Sequence, residues 1–255
     1  MSLDQRAKEP RLRRALTRGV PVALGTLALS GCSKVSGLGF EEGLSSVNDT
    51  SLGLWQGAWI AAGVVGVFTA GLILWSLIFH RKKNEEFPKQ TQYHIPVEVA
   101  YTVIPFIIVA VLFAYTARDQ SEITKKTTVA AHEITVNAIQ WSWQFKYPAA
   151  GADAIVTGSP ELPPVLYMPQ GEKVRFTLTS SDVVHGFWIP AFMIQIQNLP
   201  GVTNHLEFTA NKLGDFAGRC NILCGRDHSR MYFTVRVVTP AQYNDYLSTL
   251  KASQG

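Results

Sequence analysis

Cysteine is scarce in this chain: three in 255 residues, Cys32, Cys220 and Cys224. That excludes a disulfide framework, so any folded part must stand on an apolar core, and the two downstream thiols are better read as ligands or a redox pair. Charge is also scarce, at 16% of residues with a net charge of +4. No broad basic surface is available for nucleic acid, and no nucleic-acid partner is expected. The Lys and Arg residues gather instead at residues 11–18 and 81–83, each beside an apolar run, where they read as membrane-topology signals. There is no internal repeat and no long low-complexity tract. There is no Cys-x₂-Cys-His either, which excludes a covalently attached c-type haem on this chain.

What is abundant is apolar sequence, 47% of residues with a mean hydropathy of +0.09, and it is concentrated toward the N-terminus. The average therefore hides a membrane part and a water-exposed part. Residues 1–31 have the pattern of a signal peptide, with Lys8, Arg11, Arg13, Arg14 and Arg18 preceding an apolar stretch at residues 19–30 that is too short to span a bilayer. It ends in Leu29-Ser30-Gly31-Cys32, which resembles a bacterial lipobox. The resemblance implies cleavage before Cys32 and acylation of that cysteine, fixing the mature N-terminus to lipid at the outer face. Residues 32–53 form a polar outer tether.

Residues 54–79 carry no charge and exceed the roughly 20 apolar residues a span requires. His80-Arg81-Lys82-Lys83 and Lys89 follow, which makes this loop cytoplasmic. A second span is expected over about residues 95–115, with Pro96 at its start, Glu98 near its cytoplasmic end and Pro105 inside, where a kink is expected. Residues 54–117 thus make a two-helix transmembrane hairpin with both mature termini outside. Residues 118–255 alternate in short runs at 132–147, 173–179, 205–209 and 232–238, punctuated by Gly151, Gly158, Gly171 and Gly201. That is the pattern of a β-sandwich or barrel, closed by a short helix at about residues 240–251.

The chemistry is concentrated in residues 220–231, where Cys220, Cys224, His228 and Met231 fall together, with His185 upstream. Thiolate, thioether and imidazole suit copper better than a hard cation. Zinc is disfavoured by the methionine, and a blue-copper ion uses only one cysteine. Two thiolates suggest a bridged pair of copper ions, each with one histidine and a weak axial donor, Met231 on one and a backbone carbonyl of the Cys loop on the other. Taken alone, Cys220 and Cys224 could equally be a disulfide or two buried thiols.

These residues resemble subunit II of haem–copper cytochrome c oxidases, of the bacterial lipoprotein type. The family pattern Asp-Val-x-His-x-Phe-Trp-x-Pro is met by residues 182–190, and Cys-x₃-Cys-Gly-x₂-His-Ser-x-Met by residues 220–231. The resemblance implies a cupredoxin-like sandwich and a binuclear CuA centre of two copper ions on His185, Cys220, the carbonyl of Ile222, Cys224, His228 and Met231. It implies electron transfer from cytochrome c (soluble, tethered or fused to a neighbouring complex) through this centre to haem in subunit I. There oxygen is reduced to water with proton translocation, and subunit III is a further partner. It places the chain in the bacterial plasma membrane as a multi-pass protein with the copper domain outside. It further implies electron input at Trp143, in Gln140-Trp141-Ser142-Trp143, and a proton-path entrance at Glu98, consistent with the cost of an intramembrane carboxylate.

Two departures from the family stand out. Ile222 occupies a position usually held by glutamate, so no magnesium ligand is expected there. Gln195-Ile196-Gln197 replaces a Lys-x-Asp, which suggests weaker electrostatic steering of a basic cytochrome, or a donor that is tethered or less basic. Other readings are a quinol-oxidase-type subunit II, disfavoured because all five ligand side chains are present, a membrane-anchored copper chaperone, and a stand-alone copper electron carrier.

Overall fold

The computed structural model describes residues 39–253 apart from 83, 88, 89 and 128. The expected signal peptide and the acylation site Cys32 lie outside the described residues, as do Lys83 and Lys89 of the loop expected to be cytoplasmic.

Two long helices come first, α1 over Asn48–Phe79 and α2 over Ile95–Ile123. Both are long and apolar enough to cross a membrane, and none of their most apolar stretch is buried within the protein. Pro96 sits in the first turn of α2, where its missing N–H costs nothing, and Pro105 lies inside the helix. Each helix extends past the expected apolar run into polar sequence. α1 begins at Asn48 rather than in the 50s, and α2 carries Arg118, Asp119 and Glu122 beyond its last apolar turn.

The expected outer tether is tied down in its second half. Leu44 is buried. The Ser46 amide donates to the Thr209 carbonyl at 2.9 Å and the Asn211 amide to the Leu44 carbonyl at 2.9 Å, while Ser46 Oγ accepts from the Thr209 amide at 3.0 Å. A polar Gly/Ser stretch reads as flexible in isolation. Here its backbone groups find partners on the edge of a sheet.

Ten strands follow: β1 His132–Ile139, β2 Ser142–Lys146, β3 Ile155–Thr157, β4 Val165–Pro169, β5 Lys173–Ser180, β6 His185–Ile189, β7 Ile194–Asn198, β8 Asn204–Thr209, β9 Gly214–Cys220 and β10 Tyr232–Val238, then helix α3 over Pro240–Ala252. They form two five-stranded sheets, ordered β3-β2-β1-β5-β8 and β4-β10-β9-β6-β7. The two-helix hairpin followed by a cupredoxin-like all-β sandwich is the architecture expected from the sequence. The run at 132–147 is not one strand but two, because the chain reverses at Gln140–Trp141 and β2 returns antiparallel to β1.

Period-two patterning explains the sandwich. Val174, Phe176, Leu178 and Ser180 of β5 are buried while the residues between them are not, and Phe233, Val235 and Val237 of β10 behave alike. The two inner faces meet in one core in which Trp143, Phe145, Phe176, Phe187, Phe208 and Phe233 are all buried. Each such side chain contributes about 1.5–3 kcal/mol through burial. Phe187 and Phe233 stack at 4.8 Å between centroids. Gly218 is required beneath them, since a Cβ there would fall 2.2 Å from the Phe233 ring. α3 starts with a capping box between Thr239 and Gln242 and packs Tyr246 against Tyr167 at 3.9 Å.

Candidate metal centre

Three loops at one end of the sandwich converge. β6 begins with His185, β9 ends with Cys220, and the segment between β9 and β10 carries Cys224, His228 and Met231. Phe187 of β6 pairs with Cys220 of β9, so sheet register alone sets His185 beside the first thiol. The Cys220 amide donates to the Met231 carbonyl at 3.0 Å, which closes the loop at its base.

The five expected side chains meet. Cys220 and Cys224 are both free and buried, with their sulfurs 3.8 Å apart, so the pair is a dithiol and not a disulfide. His185 Nδ1 lies 4.0 Å from Cys220 Sγ, His228 Nδ1 lies 3.5 Å from Cys224 Sγ, and Met231 Sδ lies 3.9 Å from Cys224 Sγ. The Ile222 carbonyl oxygen is 3.2 Å from Cys220 Sγ. His185, Cys220 and Cys224 present their ligand atoms within 4.8 Å of one another.

The electrostatics favour a soft cation. His185 Nε2 lies 2.8 Å from Asp182 Oδ1. That contact holds the Nε2 proton against the carboxylate and turns Nδ1 toward the sulfurs, the orientation a ligating histidine needs. Burial pushes the Cys220 thiol up, but hydrogen bonds from His185, the Gly186 amide and their neighbours outweigh it and bring the thiol down to about 6. Burial and the charge of Cys220 push Cys224 up to about 12. The first thiol is thus the more easily ionised of the two, and a cation bound between the sulfurs would replace the proton of the second. Thiolate, imidazole, thioether and carbonyl donors, converging away from water, fit copper.

A turn missed as a functional element in the sequence grips this loop from outside. Gln140 Nε2 donates to the Cys224 carbonyl at 2.8 Å and Trp141 Nε1 donates to the same oxygen at 3.2 Å. The Gln140 amide donates to Asp182 Oδ2 at 2.6 Å. One turn therefore touches the supports of both His185 and Cys224. Gly225, at φ +126°, has no room for a side chain, because a Cβ would lie 2.9 Å from Trp141 Nε1. The readable signal was Asp182 three residues before His185. The pairing of residues 140–141 with residues 224–225 is too distant in sequence to be seen.

Of the two remaining expected positions, Trp143 backs the centre from the core and Glu98 lies outside the ligand loops. Trp143 is 0% exposed, in the core with its ring 6.3 Å from that of His185 and its Nε1 donating to the Met231 carbonyl at 3.4 Å. Its burial is a consequence of β2, whose Trp143 and Phe145 face inward. It offers no face to an outside donor, whereas Trp141 is half-buried and carries the Arg226 guanidinium 5.1 Å above its ring. Glu98 is in the first turn of α2, remote in sequence from the ligand loops, and its Oε1 accepts the His94 amide at 2.8 Å. It therefore has a local task, satisfying an amide that a helix start leaves free.

Residues 133–238 match the family model described as cytochrome c oxidase subunit II, periplasmic domain. A probable cytochrome c oxidase subunit 2 of Streptomyces avermitilis is 38% identical, covering 96% of this chain and 88% of that protein. Cytochrome c oxidase subunit 2 of Mycobacterium tuberculosis is 34% identical, covering 88% of this chain and 79% of that one. The crystal structure of the periplasmic domain of subunit II of cytochrome oxidase of Bradyrhizobium japonicum is 28% identical, with a TM-score of 0.45, covering 50% of this chain.

Proposed function

This chain belongs to the cytochrome c oxidase subunit II family, and we propose that it is the electron-accepting subunit of a terminal oxidase, holding a binuclear CuA centre. The observation that carries the reading is the convergence of two free, buried thiols 3.8 Å apart with imidazole nitrogens against both. His185, Cys220, Cys224, His228, Met231 and the Ile222 carbonyl would hold the copper. When bound, the copper pair supplies a one-electron carrier whose charge is shared across both thiolates.

The protein's own residues do the rest. Asp182 holds the Nε2 proton of His185 and keeps the donor nitrogen inward. The core aromatics Trp143, Phe187 and Phe233 back the site with rigid apolar surface, which keeps water and rearrangement small during electron transfer. The input role expected for Trp143 passes to Trp141, because Trp141 joins the Cys224 carbonyl to the surface. Electrons would arrive from cytochrome c at Trp141 and leave to haem in subunit I, where oxygen reduction and proton translocation take place. Subunit III is a further expected neighbour. The two helices span the bacterial plasma membrane, with the β-domain and both termini outside, and Cys32 acylated. Glu98 stands at the cytoplasmic end as a candidate proton-path entrance. Ile222 gives no side-chain ligand to magnesium.

The test is copper counting and electron paramagnetic resonance on the purified full chain in detergent. Two copper ions per chain with an unpaired electron shared between them support the reading. One copper per chain, or a spectrum of a single localised Cu(II), refutes it.

A further inference from the structure

We propose that the hairpin holds one phospholipid with a primary-amine headgroup, of phosphatidylethanolamine type, between α1 and α2 at the end next to the β-domain. The inference goes beyond electron transfer. It rests on the hairpin spanning a bilayer and is independent of the copper.

At that end the two helices stand apart around an open groove of about 890 Å³, within the range of pockets that hold small molecules. Gly53, Gly57 and Ala61 of α1 form one wall, and Ile108, Val111 and Leu112 of α2 the other. Nothing stands within 4 Å of a Cβ built on Gly53 or Gly57, so the chain does not fill this space itself. The α1 wall runs from Asp49 to Ala61, about 18 Å of helix. That matches one leaflet, which spans roughly 15 Å of hydrocarbon and about 20 Å with its headgroups. A partner helix packs through both leaflets, whereas this groove stops at mid-membrane, where an acyl tail ends. Trp55 and Trp59 of α1 and Tyr115 of α2 stand at the same end, as an aromatic belt does at headgroup level.

The groove opens at its head into a polar recess of about 250 Å³, since Thr50 and Glu122 line both. Lys125, Lys173 of β5 and Glu207 of β8 also line the recess. Some of the charges here are already taken. Glu207 is held by Arg175 and Thr127, and Asp119 by Arg118 at 2.8 Å. Lys173 is half-buried and has no ion-pair partner among the described residues. Lys125 and Glu122 are 4.0 Å apart and largely exposed, a weak pair. Asp49 gives Oδ1 to the Gly43 amide at 2.7 Å. A ligand at the head therefore meets two ammonium groups and two carboxylates side by side, which fits a zwitterion and not a net charge of either sign. Its phosphate accepts from Lys173, Lys125 and the Thr50 hydroxyl, and its primary ammonium donates to Glu122 and Asp49. A trimethylated headgroup has no N–H to donate, and a glycerol headgroup has no cation to set against the carboxylates. The tails pack into the space between the helices. Because Lys173 belongs to β5, a lipid so held ties the hairpin to the β-domain.

The test uses the full chain, delipidated in mild detergent and then given mixed micelles of phosphatidylethanolamine, phosphatidylglycerol or phosphatidylcholine with identical tails. Native mass spectrometry counts the lipid kept. One phosphatidylethanolamine per chain is expected, held about tenfold more tightly than the other two, the effect of losing one charge-assisted hydrogen bond. G57L fills the groove without a clash and replaces glycine with a better helix former, so it should fold and hold the lipid about tenfold more weakly. K173Q, at the head, should do the same by removing a phosphate donor. Equal retention of the three lipids, or retention that G57L leaves unchanged, marks an annular lipid only and overturns the inference. A photoactivatable side chain at Ala58, which also lines the groove, reads the occupant in cell membranes. A phospholipid adduct supports the site, and a polypeptide adduct in its place overturns it. Copper counted on the same samples keeps the two readings apart. Lipid lost with two copper ions bound counts against this site alone, and lipid held with copper absent counts against the metal centre alone.

Discussion

Replacing Glu207 with glutamine should loosen the copper domain where the chain arrives from the membrane. Glu207 of β8 lies directly across from Arg175 of β5, which in turn lies across from Glu133 of β1. The Glu207 side chain is 3% exposed and its Oε1 is 2.7 Å from Arg175 Nε. Its other oxygen accepts from the Thr127 amide at 3.1 Å and the Thr127 hydroxyl at 2.5 Å, and Arg175 Nη2 donates to the Thr127 carbonyl at 2.6 Å. One ion pair thus fixes the segment leaving α2 onto the sheet. Removing one partner of a buried pair strands the other charge, at about 3–5 kcal/mol. Glu133 remains to Arg175 at 3.1 Å but is largely exposed, so the lower end, about 3 kcal/mol, applies. For a chain of this size that is a fall in Tm of about 6–12 °C.

Tryptophan-fluorescence melts of wild type, E207Q, R175M and the double variant measure both the loss and the coupling. Burial raises the Glu207 carboxyl, but Thr127 and Arg175 outweigh it and hold the group below its ordinary value. Its stabilisation is therefore full above the unfolded carboxylate pKa and is lost as pH falls through the lower folded value. The gap between wild type and E207Q should close in acid. An E207Q chain within about 1 kcal/mol of wild type, or single losses that simply add, would refute the reasoning.

Four further variants test the same geometry. W141F should slow reduction by a protein donor with copper content unchanged, because the indole N–H to the Cys224 carbonyl is lost. W143F should instead cost roughly 1–3 kcal/mol of stability through the core, measurable by denaturant titration, and equal kinetic defects in the two variants would contradict the assignment. G218A should destabilise by about 1–3 kcal/mol, since Phe233 has no room to retreat, and an unchanged denaturation midpoint would show that the stack is looser than described. M231L should leave two copper ions bound and shift their potential, as an axial thioether does, so complete loss of copper in a metal assay would show that Met231 is a principal ligand.

The sequence by itself determined the membrane hairpin, the β-class of the second half and the donor set, because each is a local or compositional signal. An uncharged run longer than a bilayer, period-two alternation, and two thiols with an imidazole and a thioether in one loop can all be read without coordinates. Tertiary structure alone decided which aromatic faces the outside. Trp141 and Trp143 are both near the site, and only the reversal of the chain at Gln140–Trp141 sends one into the core and the other onto Cys224 and Arg226. It likewise decided that the polar stretch before α1 is pinned to β8, and that Asp182, Gln140 and Gly225 support the loop. Those contacts join residues 42 to 163 positions apart, and a separation of that length is closed by the packing of two sheets, not by any local preference of the chain.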